Sequence, residues 1–170
     1  MQRRAAGVVV ALFGIALVLV GATSYSWWTF HEGASETVGV GLHGMKACHE
    51  GQCQAISYEQ IGANEETRTF FIVGSITFYG AFVTGLATLV TAGFALLRKQ
   101  APSFVSPARI GALLCLLLIA SAIAFVLLRP RGGPELSVGF SLFALILGAL
   151  AAGIGNSLLM KPVAERRPHG

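Results

Sequence analysis

The chain has 170 residues, of which 54% are hydrophobic and only 12% are charged, and its mean hydropathy is +0.70. These values exclude a soluble globular domain and an intrinsically disordered tail protein, because both expose far more polar surface. The apolar content, the 21 glycines and the absence of aspartate also exclude a nucleic-acid-binding module and a disulfide-dense miniprotein. The composition therefore predicts a protein whose main solvent is lipid.

Four stretches of the chain are long and uncharged enough to cross a bilayer. A membrane helix needs about 20 apolar residues to cross a hydrocarbon core of about 30 Å. The stretches without any Asp, Glu, Lys, Arg or His are residues 5–23, 70–97, 110–128 and 136–160. Because lipid offers no partner to a backbone amide, each stretch is predicted to be a helix. For the first one, a signal peptide cleaved after Val20-Gly21-Ala22 is the alternative.

The positions of the basic residues predict the orientation. Eight of the 12 Lys and Arg residues lie in the N-terminus, the second connection and the C-terminal tail, whereas seven of the eight glutamates lie on the other side. The positive-inside rule then puts both termini in the cytoplasm of a multi-pass protein of the plasma, or bacterial inner, membrane. Residues 24–69 lie outside with a net charge of −4 (six Glu against Lys46 and Arg68), which would attract cations if they lined a pore.

The predicted helices carry small and hydroxyl side chains in place of charges. Since transporters and pumps generally need ionisable groups at membrane depth, the sequence argues against them. Gly148 with Ala152, and Ala81 with Gly85, have the four-residue spacing that lets helices approach closely. Cys115 is expected to be a small core residue. One face of the second span carries four threonines, which we interpret as an interhelical seam rather than a polar conduction stripe: Thr77, Thr84, Thr88 and Thr91.

The segment 24–69 is too long for a plain connection and is predicted to be folded. Aromatic, β-branched and alternating residues predict three short strands, over residues 23–30, around 38–42 and around 56–58. Cys48 and Cys53 lie between the second and third of them. In the oxidising compartment that the orientation implies, we expect these two thiols to form a disulfide. The predicted fold class is an all-α transmembrane four-helix bundle with a small antiparallel β-sheet in the first extracytoplasmic loop.

Six residues of this loop resemble the tryptophan, Gly-Leu-Trp, cysteine, cysteine and arginine signature of the claudin-like tetraspan superfamily. They are Trp28, Gly41, Leu42, Cys48, Cys53 and Arg68. The resemblance covers the whole architecture of four helices with a large first and a small second outer loop. It implies that the disulfide pins the sheet and that Trp28 and the Gly-Leu pair seat it on the membrane. This chain departs from the signature at His43, where the family has its second tryptophan. The aromatic residues around Trp28 also fit an ordinary interfacial belt.

Two kinds of chemistry compete for the same loop. His43, Cys48, His49 and Cys53 are enough ligands for a tetrahedral zinc or copper site, but oxidised cysteines cannot bind metal as thiolates. A membrane thiol oxidoreductase would need a second cysteine pair, and the second outer turn has no cysteine. No catalytic triad or phosphate loop is present either. We therefore expect neither a metal nor a cofactor.

The predicted function is non-enzymatic. The outer loop of a claudin-like membrane protein would contact other membrane proteins or further copies of itself, with the lipid bilayer as the other partner and no nucleic acid. An accessory subunit of a larger membrane complex is the first alternative. The membrane thiol-disulfide oxidoreductase is the second.

Overall fold

The structure is a computed structural model that describes residues 2–32, 36–62, 65–97, 107–129 and 137–159. Within them lie the helices α1 (Gln2–Thr23), α2 (Tyr58–Ile61), α3 (Glu65–Leu96), α4 (Pro107–Leu127) and α5 (Phe140–Leu159). The strands are β1 (Trp28–Glu32), β2 (Glu36–Val40), β3 (Gly44–His49), β4 (Gln52–Ser57) and β5 (Ser137–Val138). This arrangement confirms the predicted fold class of a four-helix bundle with an antiparallel sheet between its first two long helices.

The four long helices are long and apolar enough to cross a membrane, and they pack as a bundle. Their bounds differ from the uncharged stretches at several ends. α3 begins at Glu65 instead of residue 70, so that its 32 residues extend about 48 Å and reach beyond a hydrocarbon core of about 30 Å. α5 begins at Phe140 instead of residue 136, because Ser137 and Val138 pair with β1 as a strand. The uncharged stretches therefore locate the four spans but do not give the residues at which the helices begin and end.

The tightest helix contact in the bundle joins α1 to α5 through glycines. Gly7, Gly14 and Gly21 recur every seven residues along α1 and lie against the backbone of α5. A Cβ atom on Gly148 of α5 would lie only 2.6 Å from the carbonyl oxygen of Gly14. The predicted close approach at Gly148 and Ala152 is thus confirmed, and its partner surface is the glycine row of α1.

The threonine face of α3 is an interhelical seam, as predicted. All four threonines of that face are at most 5% exposed. Thr77, Thr84 and Thr91 donate their hydroxyls to carbonyl oxygens four residues earlier in their own helix. Thr88 instead accepts a hydrogen bond from the Asn156 amide of α5 at 3.1 Å. These threonines therefore satisfy their polar groups within the bundle.

The sheet has the strand order β4-β3-β2-β1-β5, with antiparallel neighbours. The prediction of three strands was wrong in number, because β3 was not recognised in the sequence Gly-Met-Lys-Ala-Cys-His. Leu42 and Tyr58, which were expected in strands, lie just outside them. β5 joins the sheet from the connection between α4 and α5, with Val138 opposite Trp28. The connection between α1 and α3 and the one between α4 and α5 therefore contribute to one sheet at one end of the bundle.

Candidate functional site

The sheet is anchored to the bundle by two buried tryptophans. Trp27 and Trp28 are 0% and 1% exposed. The indole Nε1 of Trp27 donates to the carbonyl oxygen of Gly21 at 2.7 Å, which ties the sheet to the last turn of α1. The Trp28 ring lies 4.9 Å from the ring of Phe125 and 5.7 Å from that of Phe70, centroid to centroid. Because both indoles are buried within the protein, they do not form a lipid-facing aromatic belt.

The Gly41-Leu42 pair belongs to the same anchor. Leu42 is fully buried in one hydrophobic cluster with Trp28, and the Tyr58 hydroxyl donates to the Gly41 carbonyl oxygen. A Cβ atom on Gly41 would lie 2.8 Å from the carbonyl oxygen of Ser24, so only glycine fits here without displacing backbone. The structure thus brings together Trp28, Gly41 and Leu42. It does not bring Arg68 into this cluster, since that side chain is exposed near the start of α3.

His43 makes one polar contact and packs against aromatic rings where the sheet meets the helices. Its Nε2 atom lies 3.0 Å from the Tyr25 hydroxyl, and its ring centroid lies 4.6 Å from that of Phe78. The Nδ1 atom is buried without a hydrogen-bond partner among the described residues. Burial lowers the pKa of His43 from its usual value of 6.5, because it disfavours the charged imidazolium. The site therefore holds a neutral imidazole where the helices meet the sheet.

The far end of the sheet is a hairpin of β3 and β4 that is exposed to solvent. Glu50 and Gly51 form its two-residue turn, and both have positive φ angles of 48° and 83°, as type I′ hairpin turns require. A disulfide joins Cys48 to Cys53, which lie directly opposite each other on the two strands. His49 extends beside the turn and pairs with Glu36 of β2 at 2.8 Å. The hairpin is therefore fixed by its turn, its disulfide and a contact with β2.

β4 forms an open edge of the sheet. One side of the strand pairs with β3, and its other side pairs with no strand in the described part of the chain. Residues 52–56 are all exposed and none of them is charged. The sequence predicted a strand only around residues 56–58 and did not indicate an open edge, because the small and polar side chains of residues 52–55 give no hydrophobic signal. The adjacent Gly51, at the turn, was the local signal that could have indicated it.

The rival metal site does not assemble around the loop residues. Cys48 and Cys53 are joined to each other, His43 contacts Tyr25 and Phe78, and His49 pairs with Glu36. The two cysteines and the two histidines are thus engaged in three separate contacts. Among the residues that the structure describes, no group of three His, Cys, Asp or Glu side chains could hold a metal ion.

Comparison with known proteins gives no family assignment. No protein-family model matches the chain, and no curated protein matches it.

Proposed function

We propose that the protein is a non-enzymatic, claudin-like membrane protein that associates with further copies of itself through the β4 edge of its sheet. The resemblance to the claudin-like superfamily is supported by the arrangement of its signature residues. Trp28, Gly41 and Leu42 anchor the sheet, and Cys48 and Cys53 fasten the hairpin that projects from it. The rest of the proposal concerns what this hairpin does.

The sheet is proposed to lie outside the cytoplasm, with both termini inside. The disulfide supports this orientation, because a bridge persists in oxidising compartments and is rare in the cytosol. Arg4 and Arg109 support it as well: each lies at the helix end away from the sheet, where the positive-inside rule expects basic residues on the cytoplasmic side.

The observation that carries the proposed function is the open, neutral β4 edge. An exposed edge strand presents a row of unpaired N–H and C=O groups, and proteins that must stay apart protect such an edge with charges or prolines. Residues 52–56 have neither. An uncharged strand pairs with a copy of itself without like-charge repulsion, so a second copy of the chain is the occupant we propose.

The hairpin turn identifies which amides of β4 point outward. A two-residue turn closes on a hydrogen-bonded pair, here His49 and Gln52, and the pairs then alternate along the two strands. Cys53 and Ala55 therefore direct their backbone groups away from β3. A proline at position 55 would remove an outward N–H without breaking a hydrogen bond to β3.

The test compares Ala55→Pro with Ala55→Ser. Donor-labelled and acceptor-labelled copies are reconstituted into liposomes, and energy transfer between them is measured as the protein is diluted with lipid. We expect Ala55→Pro to raise the dissociation constant about tenfold, because an edge-to-edge contact loses hydrogen bonds. Ala55→Ser keeps the N–H and should associate like the original protein.

Two outcomes would contradict the proposal. Energy transfer that is equally strong in Ala55→Pro would place the contact elsewhere on the protein. A chain that remains monomeric in liposomes at every lipid ratio would contradict self-association, and it would favour the role of an accessory subunit bound to a different membrane protein.

A further inference from the structure

A groove of about 380 Å³ lies on the lipid-facing surface of the bundle between α4 and α5. Its floor is made of small side chains, among them Ala112, Cys115 and Gly153. Larger apolar side chains form its walls, and of these Leu116 and Ile154 are 64% and 58% exposed. The groove is therefore open to the surrounding lipid, and its volume lies within the range of about 300 to 1,000 Å³ that is usual for ligand sites.

The groove has the length of one lipid leaflet. Along α5 its lining residues extend from Ala149 to Leu158, and along α4 they extend from Ala112 to Ile119. Nine residue steps of helix on α5 correspond to about 14 Å, close to half of a hydrocarbon core of about 30 Å. Leu158 and Ala112 lie toward the helix ends that are remote from the sheet. The groove thus extends from the middle of the bilayer to the surface opposite the sheet.

Positive charge lies at the end of the groove that is remote from the sheet. Arg109 is exposed in the first turn of α4, three residues before Ala112 and seven before Leu116, so it lies on the same face of the helix as these two groove residues. The N-terminus of α4 and the C-terminus of α5 both lie at this end and carry opposite partial charges, so the guanidinium of Arg109 supplies the positive charge. The first turn of α4 contains no acidic residue, and the chain has none between Glu66 and Glu135.

We propose that this groove is a binding site for one anionic phospholipid of the leaflet opposite the sheet. One acyl chain lies along the groove between α4 and α5, over Gly153 and Cys115. The phosphate lies at the N-terminus of α4 beside Arg109. The apolar length, the position in one leaflet and the charge at one end together match a phospholipid better than a second protein helix, which would have to cross both leaflets. This site is independent of the proposed self-association, because it lies at the opposite end of the bundle from β4.

The test uses native mass spectrometry of the full chain in a nonionic detergent, with added phosphatidylglycerol or phosphatidylcholine of identical acyl chains. We expect one tightly bound phosphatidylglycerol per chain and weaker binding of phosphatidylcholine. Arg109→Gln should weaken phosphatidylglycerol binding about fivefold, because it removes one basic residue at the membrane surface. Arg4→Gln is the matched control, since it removes the same charge at the same end of the bundle from α1, which packs against α3 and α5.

A second pair of variants tests the acyl-chain groove. Gly153→Leu places a side chain on the groove floor and should weaken binding about tenfold by displacing the acyl chain. Gly93→Leu is its control, because a Cβ atom there meets nothing within 4 Å. If Gly153→Leu does not fold, Ile154→Trp at an exposed wall position obstructs the groove without altering the buried packing.

Three results would overturn the proposal. The first is equal binding of the two lipids to the original protein. The second is an equal loss of phosphatidylglycerol binding in Arg4→Gln and Arg109→Gln, which would indicate a diffuse attraction to the basic end of the bundle. The third is unchanged binding when the groove is obstructed by Gly153→Leu or Ile154→Trp.

Discussion

The amide Nδ2 of Asn156 on α5 donates a hydrogen bond to the hydroxyl of Thr88 on α3 at 3.1 Å, and both side chains are fully buried in the bundle. A Cβ atom on Gly111 would lie 2.7 Å from this same amide nitrogen, so a glycine on α4 makes room for the asparagine. Three spans therefore meet at one polar contact. Asn156 lies in a stretch that was predicted only as an uncharged helix, and its role in helix association was not recognised from the sequence.

Thr88→Val should destabilise the bundle more than the same change at a neighbouring threonine. It removes the acceptor of the Asn156 amide, and we expect a loss of about 1 kcal/mol, within the range measured for interhelical hydrogen bonds and unsatisfied buried groups. The measurement is the free energy of unfolding in mixed detergent micelles. Thr84→Val is the matched control, because the Thr84 hydroxyl only donates to Gly80 of its own helix. Equal losses in the two variants would show that the contact between α3 and α5 contributes nothing specific.

Gly14→Ala should disrupt the contact between α1 and α5. The added Cβ atom would overlap the backbone nitrogen of Ala152, which cannot move away as a side chain could. We expect a loss of about 1 to 3 kcal/mol in the free energy of unfolding, as for other overpacked sites. Gly93→Ala is the control and should be neutral or slightly stabilising, because it adds a methyl group in open space and improves helix propensity. A neutral Gly14→Ala variant would contradict the close packing of these two helices.

Cys48→Ala and Cys53→Ala should each weaken the β3–β4 hairpin by the same amount. Both abolish the same bond, and closing so short a loop is worth roughly 2 kcal/mol in the chain-entropy model. The double variant should therefore lose no more than either single variant. Hydrogen exchange of the β4 amides measures the effect at the hairpin itself. Additive losses would mean that the two cysteines stabilise the hairpin independently, contrary to a bridge between them.

The anchor of the sheet should weaken in acid because of His43. Burial lowers the pKa of its imidazole, so the folded protein binds the proton less tightly than the unfolded chain does. The stability that depends on the neutral ring is fully present above the unfolded pKa of about 6.5 and is lost as the pH falls below it. Hydrogen exchange of β2 and β3 at pH 7.5 and pH 5 measures this loss.

His43→Gln should remove this part of the pH dependence, whereas His49→Gln, at an exposed position of the hairpin, should retain it. A pH dependence that persists unchanged in His43→Gln would exclude the ring as its source.

The four spans and the threonine seam could be predicted from the sequence, because each depends on a single physical constraint. Lipid requires long uncharged stretches, so the four spans could be predicted, and the threonine seam followed from helical periodicity. The glycine row of α1 was not recognised, because single glycines seven residues apart do not indicate a contact surface unless the position of α5 is known. β3 was not recognised and β4 was predicted only around residues 56–58, since their hairpin extends into solvent and buries few apolar side chains. β5 has two residues, and its pairing with β1 depends on how the helices bring two connections of the chain together.

The tryptophans illustrate a different limit of the sequence. Trp27 and Trp28 lie next to the end of a span, where an aromatic belt and a buried anchor have the same local pattern. Only the packing of Trp28 against Phe70 and Phe125, which are remote in the sequence, distinguishes the two. Such contacts depend on the arrangement of all four spans, which no local pattern specifies.

Labelling of cysteines in intact cells tests most directly the central claim of an outward-facing sheet fastened by one disulfide. A membrane-impermeant maleimide should not react with the untreated protein, because Cys48 and Cys53 are joined and Cys115 is buried in the bundle. After treatment with an impermeant reductant, two thiols should react, and none should react in the Cys48→Ser, Cys53→Ser double variant. Labelling of Cys48 or Cys53 without reductant, or only after the cells are permeabilised, would contradict the disulfide or the orientation.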